Sequence, residues 1–190
     1  MAHRVADPAR DRLGLDGRGR RQRQPRAHSF HDGRSHRAPT VCFVSIGHKD
    51  TLRNCRDTGE FVLNIGTEAL LNGMNDSATP LPQGHSEFDA AALEREPSRS
   101  VRPARVASAP VAFECRVSGE HAIGDDVMVF GEVLHIAVRA DVLADDGYPD
   151  ARKVAPLARL GRSEWSTLGE IVELDRISWR DWQAGRRSSD

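Results

Sequence analysis

The sequence predicts a mainly β protein with short helices set between its strands. Three observations carry this. Val111, Phe113, Cys115 and Val117 alternate along the run 110–117, as one buried face of a strand requires. The run 127–138 is longer. It places Val127, Val129, Gly131, Val133 and His135 on one face and Met128, Phe130, Glu132, Leu134 and Ile136 on the other. Its middle is apolar on both faces, which suits a strand with a core inside and a partner outside. Finally, 41–44 and 61–65 are brief β-branched and aromatic runs bounded by turn residues, too short for helices.

The elements follow in order. After the strand at 41–44, Ser45 to Thr51 form a polar turn, and Asp50 or Thr51 can cap a helix through Leu52 and Cys55 to Thr58. Gly59 fits the left-handed position that closes such a helix. The strand 61–65 comes next, then a short helix capped by Thr67. A loop at 75–86 around Pro80 and Pro82 follows, then a short helix at 87–93 opened by a Ser86/Asp89 capping box. Residues 119–124 read as a connection or bulge between the two long strands. A short helix at 139–143, a turn at Asp145–Gly147 and shorter pieces at 153–160, 165–169 and 171–174 complete the domain.

The 190-residue chain is long enough for one core, and its net charge of −1 points to neither nucleic acid nor membrane. No apolar run approaches a bilayer span, and the N-terminus lacks a signal pattern. Cys42, Cys55 and Cys115 are odd in number and lack metal-ligand spacing, so they read as reduced thiols of a cytoplasmic protein. His48, His85, His121 and His135 are scattered and read as surface or structural residues.

The balanced charge conceals a division. Residues 1–39 hold ten Arg and four Asp, with no Glu or Lys, and few large apolar groups without period. Such a segment cannot offset its ordering entropy and is expected to be disordered. The expected organisation is a basic segment at 1–38, a domain at 39–178 and a polar, frayed tail at 179–190.

The turn Ser45-Ile46-Gly47-His48-Lys49-Asp50-Thr51 is the chemical candidate. Gly47 lets backbone amides approach a ligand closely, Ser45 and Thr51 offer hydroxyls, Lys49 a cation, and a helix start a positive partial charge. The set suits a monophosphate, and its spacing is neither a Walker loop nor a Rossmann fingerprint. A solvated turn before a capped helix fits the same residues.

The run from Pro39 to Asn54, with Thr58-Gly-Glu-Phe-Val-Leu-Asn64 after it, resembles the flavin reductase-like family. Further matches follow in order: Met74-Asn75, Glu87-Phe88, Val101-Arg-Pro103, the segment 108–114, Phe130-Gly-Glu-Val133, and Leu157-Ala-Arg-Leu-Gly161 with Trp165 beyond. The resemblance covers about 39–175. It implies a Greek-key, FMN-binding split β-barrel that forms homodimers, with the flavin at or near the subunit interface. It implies that Ser45, Gly47, Lys49 and Thr51 hold the phosphate and ribityl chain of FMN, or of FAD, while Asp50, whose charge is wrong for an anion, caps the helix. Arg159 and Gly161 would lie near the flavin, from the partner subunit, and Trp165 would offer a stacking surface where the family usually has Tyr. The implied activity is hydride transfer from NAD(P)H to flavin, with a monooxygenase as the partner that receives reduced flavin. An FMN-binding electron carrier and an inactive variant lacking part of the flavin site are the alternatives. No residue favours the substrate of the pyridoxamine-phosphate-oxidase branch, which shares the barrel.

One departure stands out. The family's first strand and its Asn-Leu-Ala-Pro-type segment should lie upstream of Pro39, and 1–38 do not contain them. Back-translated with GC-rich codons and read one base over, 6–39 can yield such a segment, so a frame error is the expected cause. A genuine basic arm that binds nucleic acid is the competing reading, weakened by its lack of interleaved aromatics. DNA sequencing across codons 1–40 separates the two.

Overall fold

In a computed structural model the described residues are 39–47, 49–79 and 86–185. The basic segment 1–38, its expected disorder and its suspected frame error lie outside them, as do His48, His85 and the last five residues of the tail.

Four strands form the main sheet: β1 (Thr40–Ser45), β2 (Glu60–Asn64), β5 (Val111–Ile123) and β6 (Asp126–Val138), in the spatial order β1-β6-β5-β2. All neighbours are antiparallel. Three successive strands lie side by side and the first returns beside the last, which is the Greek-key order expected. Among the described residues the sheet remains open and does not close into a barrel. Two small two-stranded sheets flank it, β3 (Arg95–Glu96) with β4 (Arg105–Val106) and β7 (Ala158–Arg159) with β8 (Trp165–Ser166).

The long hairpin β5–β6 is the backbone of the fold. Its two-residue turn begins at Gly124, whose φ of +59° suits the first position of a tight hairpin loop. β5 continues through 119–123, where the sequence suggested a connection. Those residues pair with β6 past Arg116, the last β5 residue that β2 covers, and the irregularity appears as a register shift between Val117 and Gly119. A second shift, between Glu114 and Cys115, skips Leu134 of β6.

Helix α1 (Asp50–Thr58) ends as expected at Gly59, which takes φ +70° while its N–H donates to Cys55 O. Leu52 and Cys55, one turn apart, bury against Phe61, Cys115, Val127 and Val129 to form the main core. A smaller cluster of Val111, Val142 and Val154 packs at the other end of the sheet. The remaining helices are short: α2 (Leu71–Ser77), α3 (Glu87–Ala90), α4 (Ala151–Val154) and α5 (Trp179–Gln183). Asp150 caps α4 by accepting from the Arg152 N–H. The predicted capping box at Ser86 does not form. Ser86 Oγ and the Asp89 carboxylate both accept from the Arg95 guanidinium instead. The expected helix at 139–143 is a 3-10 turn, Ala140–Val142, and 171–174 forms no regular element. The tail holds α5, where Trp179 and Trp182 stack at 5.0 Å, so it is ordered further than its polar composition suggested.

Candidate functional site

The turn after β1 is built around the peptide of Gly47. Ser45, the last residue of β1, is buried, and its hydroxyl donates to Gly47 O at 2.9 Å. Gly47 sits at φ +68°, a conformation L side chains rarely take, with open space where a Cβ would project. Its N–H donates to Asp126 Oδ1 at 3.1 Å, and its carbonyl also accepts from the Lys49 N–H at 3.1 Å.

Lys49 occupies the N-cap position of α1 with extended backbone (φ −86°, ψ 165°), and no side chain caps the helix. The expected cap by Asp50 or Thr51 is therefore replaced. Both residues already lie inside the helix, whereas a cap needs the extended backbone that Lys49 has. Asp50 instead pairs with Arg53 at 3.0 Å along the helix surface. Among the described residues the first-turn amides of α1 have no side-chain acceptor, and they lie next to the exposed Lys49 and Thr51. Such an end attracts an anion through both its donors and the helix dipole. Of the residues predicted to hold a phosphate, Lys49 and Thr51 face outward. The Ser45 hydroxyl and the Gly47 N–H are engaged within the turn itself. The residues present fit a phosphate group.

Thr51 also borders a groove of about 520 Å³, lined along α1 by Thr51, Asn54 and Thr58 and on the far side by Phe88, Arg102 and Val106. Three acceptors hold that far wall. Glu60 Oε2 accepts from the Arg102 N–H at 3.0 Å and its Nε at 3.1 Å. Asn64 Oδ1 accepts from the Val106 N–H at 3.1 Å. The fully buried Glu114 carboxylate accepts from the N–H groups of Arg99 (3.0 Å) and Ser100 (2.6 Å) and pairs with Arg105 at 3.4 Å. A fixed, hydrogen-bonded carboxylate is the form in which burial of this charge is tolerated. From sequence alone, Asn64, Glu114 and Asp126 have no role in the site. The only signal was an acidic residue inside an otherwise apolar alternation.

Arg159, Gly161 and Trp165 lie together in the β7–β8 hairpin. Arg159 is paired opposite Trp165, and its guanidinium lies 4.8 Å from the Trp165 ring centroid while donating to Arg162 O at 2.6 Å. Gly161 closes the loop, its carbonyl accepting from the Glu164 N–H at 3.2 Å. The hairpin is tethered where the Leu157 N–H donates to Gly66 O, just past the end of β2. Register then separates the two groups. Ser45 pairs with Val127, which pairs with Ala122, whereas Asn64 pairs with Ala112. Between Ala112 and Ala122 runs about 30 Å of extended strand. Within one chain the Ser45–Thr51 turn and the Arg159–Trp165 hairpin belong to opposite ends of the sheet.

Among the described residues no His, Cys, Asp or Glu cluster could hold a metal ion, and no helix is long and apolar enough to cross a membrane. All three cysteines are free thiols. Burial pushes the Cys115 thiol up to about 11, helped by the neighbouring Glu114, and raises Cys55 in the same way.

This open Greek-key sheet with a long hairpin and interposed short helices is the fold of the split-barrel flavoproteins. Residues 30–157 match the model of the flavin reductase like domain, and the chain belongs to that family. The uncharacterized protein BH2278 of Halalkalibacterium halodurans is 34% identical over 151 residues, covering 73% of this chain and 71% of the relative. An uncharacterized protein of Deinococcus radiodurans is 33% identical over 138 residues, covering 71% of this chain and 61% of its own length. Among solved structures, nitrilotriacetate monooxygenase component B from Bacillus cereus superposes with a TM-score of 0.66 at 27% identity, covering 72% of each chain. Flavoredoxin of Desulfovibrio vulgaris does so with a TM-score of 0.64 at 23% identity, covering 71% of this chain and 73% of that one, and shows the fold alone.

Proposed function

We propose that this chain binds FMN by its terminal phosphate at the start of α1 and serves as an NAD(P)H-dependent flavin reductase. The observation that carries the reading is the uncapped, Lys49-flanked N-terminus of α1 beside Gly47, in a chain of the flavin reductase like family. Lys49 supplies an ammonium, Thr51 a hydroxyl and the first helical turn its amides. These donors address a single terminal phosphate, which favours FMN over FAD. Flavin held there would supply the redox chemistry, hydride transfer from a nicotinamide cofactor. The protein's part is to hold the phosphate end, to shelter the ring from water and to leave one ring face open to the hydride donor.

Several partner readings accompany this proposal. The outer sheet face carries Cys42 opposite Phe130 and Val44 opposite Met128, and Val44 and Leu134 are 46% and 40% exposed. An apolar face of this kind fits a homodimer interface. Pairing two chains is also the way to bring Arg159, Gly161 and Trp165 of one subunit to the phosphate turn of the other. The similarity to a monooxygenase component supports a monooxygenase as recipient of reduced flavin, and three free thiols fit a reducing cytoplasm.

The experiment is an absorbance spectrum of purified protein with and without added FMN, followed by NADH or NADPH oxidation in the presence of FMN. Bound flavin with turnover supports the reductase. Bound flavin without turnover supports an electron carrier. A protein that takes up no flavin removes the proposal.

A further inference from the structure

We infer that Asp126 is the positioning residue of the phosphate cradle, a role that rests on the flavin reading above. Gly47 is held through both of its backbone polar groups. Its carbonyl accepts from Ser45 Oγ and the Lys49 N–H, and its N–H donates to Asp126 Oδ1 at 3.1 Å across 79 positions of sequence. The last rung of the β1–β6 ladder joins Ser45 to Val127, so Asp126 stands one residue beyond it. Where backbone pairing stops, a side chain takes over and carries the ladder one step further.

That step decides where the chain goes next. With its N–H fixed on the tip of the β5–β6 hairpin, Gly47 holds φ +68° and turns the chain so that Lys49 arrives in the extended N-cap conformation. The open first turn of α1 then faces outward. Deletion of the acceptor frees the Gly47 peptide and scatters the donors that should converge on one phosphate. The Gly47 N–H is itself committed to Asp126, so the cradle consists of α1 amides, Lys49 and Thr51.

Charge makes the assignment testable. Asp126 brings a carboxylate next to an anion site that already contains Asp50, so its negative charge opposes phosphate while its oxygen organises the turn. The acceptor and the charge can be separated, because Asp126→Asn keeps an Oδ1 acceptor and loses the charge, whereas Asp126→Ala loses both.

The test compares FMN with riboflavin, which lacks the phosphate, by fluorescence titration of the full chain and both variants. Asp126→Ala should bind FMN about tenfold more weakly than the parent, the size expected for losing one organising hydrogen bond, with riboflavin affinity unchanged. Asp126→Asn should bind FMN at least as tightly as the parent. A purely structural role would weaken both flavins alike, and that result overturns the assignment. So does an Asp126→Ala protein with the parent's FMN-to-riboflavin ratio, or an Asp126→Asn protein as weak as Asp126→Ala. Should Asp126→Ala fail to fold, Asp126→Asn decides alone, and FMN binding weaker than the parent's overturns the role. Failure of the flavin reading looks different: the parent itself binds no flavin or shows no preference for the phosphate, and the role of Asp126 falls with it.

Discussion

The ring of Phe61 lies directly over the bare backbone of Gly131. A Cβ built on Gly131 would come within 2.3 Å of Phe61 Cζ and 2.9 Å of Cys115 Cβ. The same ring meets Phe43 edge-on at 5.2 Å. Glycine is required here for space, since Gly131 is not among the residues of positive φ. Gly131→Ala should therefore destabilise by about 1–3 kcal/mol through overpacking, read as a lower denaturant midpoint. Adding Phe61→Leu to that variant should recover part of the loss. If Gly131→Ala melts with the parent, the contact does not have the tightness described.

Lys49→Ala combined with Thr51→Ala removes the ammonium and hydroxyl at the start of α1 without touching the core, as both side chains are exposed. FMN affinity should fall by about tenfold or more, at roughly 1.4 kcal/mol per decade, while riboflavin affinity and the melting temperature stay close to the parent's. Equal FMN affinity in parent and variant would place the phosphate elsewhere.

Thiol reactivity should follow burial. Cys55 and Cys115 are 2% and 0% exposed, and burial holds both thiols above their ordinary value, Cys115 at about 11. At pH 8 both remain protonated and poorly nucleophilic. In the native protein a thiol reagent should label no more than the partly exposed Cys42 quickly, and all three cysteines should react at once in denaturant. Rapid native labelling of Cys115 would contradict the packing.

Acid should loosen the surface clamps. Hydrogen bonds from Arg102 lower Glu60, those from Arg95 lower Asp89, and those from Arg139 lower Asp141. A carboxylate lowered on folding contributes stability above its unfolded value and loses it as pH falls through the folded one. The melting temperature should be nearly level from pH 6 to 8 and decline below about pH 4. These pairs are exposed, so each contributes little and the decline should be shallow and salt-dependent. Glu60→Gln should lessen the acid sensitivity, and a steep collapse near pH 6 would point to a group outside this set.

Local pattern disclosed much of the fold. The strand expected at 127–138 is Asp126–Val138, and the helix ending at Thr58 with Gly59 beyond it is as expected. These elements have one face in the core, and burial writes a period into the residues. β5 was read too short because Gly119 to Ile123 pair with β6 beyond the reach of β2, where the β5 side chains are mostly exposed, and paired backbone leaves no hydrophobic mark. The site was half legible for the same reason. Gly47, Lys49 and Thr51 become candidates by type and order alone. Asp126, Glu114 and Asn64 act across 79, 15 and 42 positions of sequence, through contacts that no window along the chain can contain.

The placement of the Ser45–Thr51 turn and the Arg159–Trp165 hairpin at opposite ends of β5 has a consequence for cofactor retention. If both groups touch one flavin, no isolated subunit can enclose it. Holding the yellow chromophore then becomes a matter of molecularity. Dilution would bleach the protein along the same concentration curve that separates its halves, and excess FMN would pull those halves back together.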